Sequence, residues 1–155
     1  MKVFIFKILW LLIALYSVSP TVASAQMADK KSSPFEALRW NGESPEVMVQ
    51  SIWYRPVAIH GVNIEDVLTY CKEEYGSRAK KRFGEDLPVA LMGMGHPLPA
   101  SVDLNLVRLD DGVEVTLTDI PSTKSNRRAI WSGNQKANRE GQNPLQRQTH
   151  GRISR

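Results

Sequence analysis

The sequence predicts a small α+β domain: a mostly antiparallel sheet in the order βββααββ, with helices on one face. Three observations carry this. Val102, Leu104 and Leu106 alternate with polar residues, Asp110-Asp111-Gly112 supplies a turn, and Val113, Val115 and Leu117 alternate on the return. That is an antiparallel hairpin with one wet face. Upstream, Ile64, Val67, Leu68, Cys71 and Tyr75 recur at helical spacing and give one apolar face. Before that helix, short β-rich runs are separated only by turn-forming pairs.

The first candidate strand runs from Phe35 to Trp40, and Asn41-Gly42 after it is a strong tight-hairpin signal. Val47 and Val49 alternate with polar neighbours in the second, and Gln50-Ser51 marks the next turn. The third, Ile52 to Ile59, is rich in β-formers and contains Pro56. Proline cannot donate to a ladder, so the sequence places this strand at a sheet edge or bulges it there. Trp40, Trp53 and Tyr54, aromatics on strands, read first as core residues, with an exposed binding strip as the alternative.

The stretch 57–68 is the hinge of the chain. A strand stops at His60-Gly61, and Gly61 suits a positive φ. Asn63 is placed to cap the helix that follows, and Glu65 and Asp66 favour its positive end. Gly76 suits the end of that helix, near Tyr75. A second helical piece carries Ala79, Phe83 and Leu87 on one face. Pro88 either kinks it or sits early in a new turn capped by Asp86.

Residues 1–25 are expected to be a secretory signal peptide. Lys2 and Lys7 precede a short apolar run, and Ala23-Ser24-Ala25 offers a cleavage site before Gln26. The rest of the chain has no second apolar run long enough to span a bilayer. Export, periplasmic or extracellular, is the expectation. Residues 26–33 read as a linker, 34–121 as the domain, and 122–155 as a basic, disordered tail poor in apolar residues. In the tail, Ile130-Trp131 is the one apolar spot able to dock. A disordered tail implies that truncation after Pro121 leaves folding intact.

The net charge of +4 is uneven. Residues 122–155 hold eight Lys or Arg against one Glu, whereas 26–121 hold ten basic and fifteen acidic residues. An acidic domain argues against specific nucleic-acid binding. The tail arginines suit an anionic surface such as the cell envelope. One cysteine, Cys71, allows no internal disulfide.

No catalytic signature, cofactor motif or metal-ligand cluster stands in the sequence. Gly93-Met94-Gly95 lacks the third glycine and the βαβ context of a dinucleotide site. His60 and His96 each lie at a loop. The expected function is a non-catalytic protein- or peptide-binding module acting by edge-strand addition, with Trp53, Tyr54, Pro56 and His60 as its binding residues. The alternatives are a thiol hydrolase pairing Cys71 with His96, and a structural envelope protein held by its basic tail.

The segments Ile59-His60-Gly61-Val62, Val67-Leu68, Val102 to Leu106 and Asp111-Gly112 to Leu117 resemble the second half of a PDZ domain. The likeness is to the PDZ-like modules that accompany bacterial tail-specific (carboxy-terminal processing) peptidases, and it covers about sixty residues. It implies a PDZ-like fold and peptide binding. It implies no proteolysis, because no serine–lysine peptidase sequence follows. The family's Gly-Leu-Gly-Phe-type carboxylate-binding loop has no match, so no peptide-binding residues carry over from it.

Overall fold

The computed structural model describes residues 26–142. The expected signal peptide, 1–25, and the segment 143–155 lie outside the described residues. The chain forms an α+β domain with one six-stranded antiparallel sheet. Its strands are β1 (Ala37–Asn41), β2 (Ser44–Val49), β3 (Ile52–Ile59), β4 (Val62–Asn63), β5 (Ser101–Arg108) and β6 (Glu114–Pro121). The spatial order is β1-β2-β3-β5-β6, with the short β4 also on β3. The helices are α1 (Ile64–Tyr75), α2 (Ala79–Glu85), α3 (Leu87–Gly93) and α4 (Lys124–Gln142).

Alternation decides the two sheet faces. Val47, Val49, Tyr54, Ile59, Val102, Leu104 and Leu106 are buried beneath the helices. Ile64, Val67, Leu68 and Cys71 of α1 meet them. The Asn63 side chain accepts from the Glu65 amide at 2.8 Å, the expected cap. His60 and Gly61 both take positive φ, 47° and 81°, so the strand-to-helix turn is first a hairpin, with Ile59 paired to Val62. The turn at Gln50-Ser51 has positive φ at both residues without a glycine. Glu36 holds it: its carboxylate accepts from both amides, at 2.9 and 3.0 Å.

The α2–α3 boundary shows why Pro88 is tolerated. The helix ends at Glu85, and Asp86 opens a new one with Pro88 in its first turn. The Asp86 backbone carbonyl accepts from Val89 and Ala90, but its carboxylate caps nothing. It instead takes Arg82 and both Nε and Nη2 of Arg127, at 2.9 to 3.1 Å.

Three sequence expectations are corrected. First, β3 is not an edge strand; β2 and β5 flank it. The bulge does occur, as a register shift between Pro56 and Ala58 against β5. Leu109 N–H donates to the Trp53 carbonyl, so Trp53 and Arg55 turn their backbone groups toward β5 and Pro56 turns its own toward β2. The β2–β3 ladder stops at Val47–Tyr54. Extended by two residues, that register sets Pro45 against Pro56, and neither has an N–H to give. A cavity of about 200 Å³ opens beside these prolines. Pro56 thus sits in a central strand with its missing donor facing a gap.

Second, residues 122–142 are not a disordered tail. Ile130 is 2% exposed, and α4 packs on β1 and α2. The composition misled because one buried side chain, Ile130, ion pairs from Lys124 and Arg127 and a hydrogen bond from Asn134 hold a helix that is otherwise polar. Third, residues 26–33 are not a free linker. Ser32 and Ser33 are buried, Ala28 N–H donates to the Leu98 carbonyl, and Ser33 bridges to Thr123. Both extensions belong to the domain.

Replacing Ile130→Ala is therefore expected to cost about 2–4 kcal/mol. The urea midpoint should fall clearly, and truncation after Pro121 should lower it further. An unchanged midpoint in either variant would return α4 to the status of a loose tail. Gly61→Val should cost on the order of 1–2 kcal/mol, because a β-branched residue is strained at φ 81°; the same denaturation measures it.

Candidate functional site

The four residues expected to bind do not converge. Trp53 lies on the open sheet face, half-buried under the Arg39 guanidinium, whose carbon is 4.2 Å from the ring centroid. Tyr54, the next residue, points to the opposite face and is buried. Pro56 is buried within the sheet. His60 is exposed at the far end of β3, with its backbone N–H on the Asp103 carbonyl at 2.7 Å. The aromatic strip is not formed either. Trp40 packs edge-on against Phe83, with centroids 5.6 Å apart, beside the core.

The thiol and the histidine are likewise apart in character. Cys71 is buried on α1, and burial pushes its thiol up to about 11, with Arg82 only partly opposing the shift. His96 is exposed in the loop after α3. Cys71 is therefore a protonated core thiol at neutral pH, without the activation that a nucleophile needs. Among the described residues no cluster of His, Cys, Asp and Glu is arranged to hold a metal. No described helix is long and apolar enough to cross a membrane.

The tail cations are partly engaged. Lys124 pairs with Asp29 at 3.0 Å and Arg127 with Asp86. Arg128 and Arg139 remain exposed on α4.

What the fold leaves open is the strand β6. Helices pack about 8–10 Å apart and strands lie about 4.8 Å apart, so one helix covers two strands. α4 packs on β1 and α1 on β3, while among the described residues no helix packs along β6. On the core side Val115 and Leu117 are only half-buried, and Val113 is 48% exposed. The strand's outer edge pairs with no other described strand.

The backbone direction along that edge follows from the hairpin. Gly112, at φ 72°, donates to the Arg108 carbonyl, and Arg108 N–H donates to the Val113 carbonyl. This is a four-residue loop, Leu109 to Gly112, with the glycine in the left-handed region at its end. Val113, Val115 and Leu117 therefore face their backbone groups to β5, against Arg108, Leu106 and Leu104. Glu114 and Thr116 face theirs outward. A bulge around Asp119, at φ 56°, ends the straight run. The hairpin is acidic: Asp103, Asp110, Asp111, Glu114 and Asp119 stand against one Arg108. The Val113 amide holds the Asp111 carboxyl below its usual range, helped by Arg108. Arg108 is itself committed to Asp111, at 2.9 Å.

No family model, curated protein or solved structure matches this chain.

Sequence reasoning found the β5–β6 hairpin but not its exposure. The signal was there in Val113, Val115 and Leu117, which are as apolar as their partners on β5. Nothing in the sequence told which of the two strands would be left at the border.

The Cys71 environment has a pH consequence. Its folded value is raised, so the neutral thiol stabilises the fold below the ordinary value of 9.0. That stability is lost as pH rises from 9.0 toward about 11. A Cys71→Ala variant should show a smaller alkaline loss of stability over that window in urea titrations. In the native protein at neutral pH, a thiol reagent should label Cys71 slowly, and rapidly in denaturant.

Proposed function

We propose that the protein is an exported, non-catalytic, PDZ-like binding module that takes an extended, basic segment of a partner protein as a strand beside β6. The observation that carries this reading is the open β6 edge, with the outward backbone groups of Glu114 and Thr116 next to the half-covered row Val113, Val115 and Leu117. An added strand gains main-chain hydrogen bonds from the first set. Its alternate side chains cover the second. The acidic hairpin selects basic residues at the positions between, on the side of Glu114. The binding mode is the one the PDZ likeness implies. The strand that offers it is β6, since β3 is enclosed. The export part of the proposal rests on the leader features of residues 1–25.

Natural edges are guarded by charge, bulges and proline. In β6 the bulge stands at Asp119 and the proline at Pro121, both at one end. The run Glu114 to Thr118 carries Glu114 as its only charge. An acidic guard of this kind repels another acidic hairpin and admits a basic strand.

The test uses proline where it costs the fold least. Thr116 gives its N–H to no ladder bond, so Thr116→Pro should melt within a few degrees of the parent. Binding to peptides of alternating Lys and Val, followed by fluorescence anisotropy, should be lost in that variant and weakened by Glu114→Lys. Val115→Pro removes a ladder bond and should lower the melting point markedly. If Thr116→Pro binds such peptides as well as the parent does, or if the parent binds none, strand addition at β6 is wrong.

A further inference from the structure

A cleft of about 750 Å³ lies between α2, β1 and α4. It is distant in kind from the β6 edge. Its walls are amphipathic, and four groups in it have chemistry to spare. Trp131 is 47% exposed, although the residue beside it, Ile130, is 2% exposed. The Trp131 indole therefore offers a free ring to the cleft. Glu85 is 3% exposed and lines the same cleft. Its Oε1 accepts from Asn134 Nδ2 at 3.2 Å, and its Oε2 is buried without a donor. Gln135 is exposed on the wall, and Lys81 stands exposed in the lining without an ionic partner among the described residues. Gly133 leaves open space where a side chain would stand.

From these groups we infer that the cleft is a binding site for an acidic oligosaccharide, with Trp131 as its platform. A pyranose ring presents a flat apolar face of C–H groups, which an exposed indole covers well. Its hydroxyls donate and accept, as the edge of the cleft requires: Glu85 Oε2 lacks a donor, and the Asn134 and Gln135 amides offer both functions. Oε2 is closed off in this structure; because a bare buried carboxylate oxygen is costly, a small shift of the wall that brings a sugar hydroxyl to it is favoured. The other cations of the lining, Arg39 and Lys80, are already held by Glu46 and Glu43. Lys81 is the one left to meet a sugar carboxylate. The same lysines oppose a cationic ligand, which is the class that Glu85 alone would otherwise suggest.

Calorimetric titration of the purified chain with an oligogalacturonate tetramer tests this, with maltotetraose as the neutral control. The expected result is saturable binding of the acidic sugar that weakens with added salt and exceeds that of the neutral one. Trp131→Ala should weaken it roughly tenfold or more, with the urea midpoint lowered only slightly because the side chain is half exposed. Trp131→Phe should recover part of the loss. Lys81→Ala should lower affinity for the acidic sugar toward that for the neutral one. Thr116→Pro should leave sugar binding untouched, so this test and the β6 test fail separately. Absence of saturable binding overturns the inference. So does wild-type affinity in Trp131→Ala, or equal affinity for the two sugars together with no effect of Lys81→Ala.

Discussion

A sheet with one apolar face must have that face taken out of water, and this chain has too little helix in its centre to do it. Between β4 and β5 the helices α1, α2 and α3 are 12, 7 and 7 residues long. α1 lies on β3, and the two short helices turn a corner beside it. The β1 side is then bare. α4 covers it, using a helix from beyond the last strand, and no described helix covers the β6 side in the same way. The closed side and the open side of the domain follow from that one shortage.

The corner that receives α4 is built for the purpose. Gly84 is buried where a Cβ would come within 2.4 Å of Leu38 Cδ2, so the Leu38 side chain of β1 packs directly on the α2 backbone. Phe83 stacks near Phe35 and meets Trp40 edge-on. Asp86 gathers Arg82 and Arg127, two cations from elements far apart in sequence, on one carboxylate. A buried ion pair of this kind contributes little net stability, because desolvation opposes it. Its value is in position: Arg127 has one low-energy place to be, and that place puts Ile130 into the core. Gly93 makes a second close approach, with Tyr70 against it, and fixes α3 on α1.

Among the described residues, the β6 border and the α2–α4 cleft stay open after this assembly, and they differ in chemistry. The β6 border is acidic and half-apolar, with backbone groups unpaired. The α2–α4 cleft is lined by cations, an indole and amides. The first suits an extended basic chain and the second an acidic sugar. Cys71 and His96 contribute to neither. The thiol is part of the wall between α1 and the sheet, and its raised pKa is a by-product of that packing.

Local chemistry alone decided the hairpins, the Asn63 cap, the His60-Gly61 turn, the helix break at Asp86-Pro88 and the alternation that sorts the sheet faces. Each depends on residues within a few positions of one another, where backbone sterics and period are enough. Tertiary structure decided which strands are interior and which are borders. Pro56 is compatible with an edge or with a gap, and only the meeting of Pro45 with Pro56 shows it to be a gap. It also decided the fate of 122–142. Ile130 and Arg127 have no local reason to order a polar segment. Their partners, Gly84, Leu38 and Asp86, lie forty or more residues away, and long-range contacts of that kind leave no period in a sequence. The open β6 edge is hidden for the same reason: whether a strand is covered depends on where distant helices end.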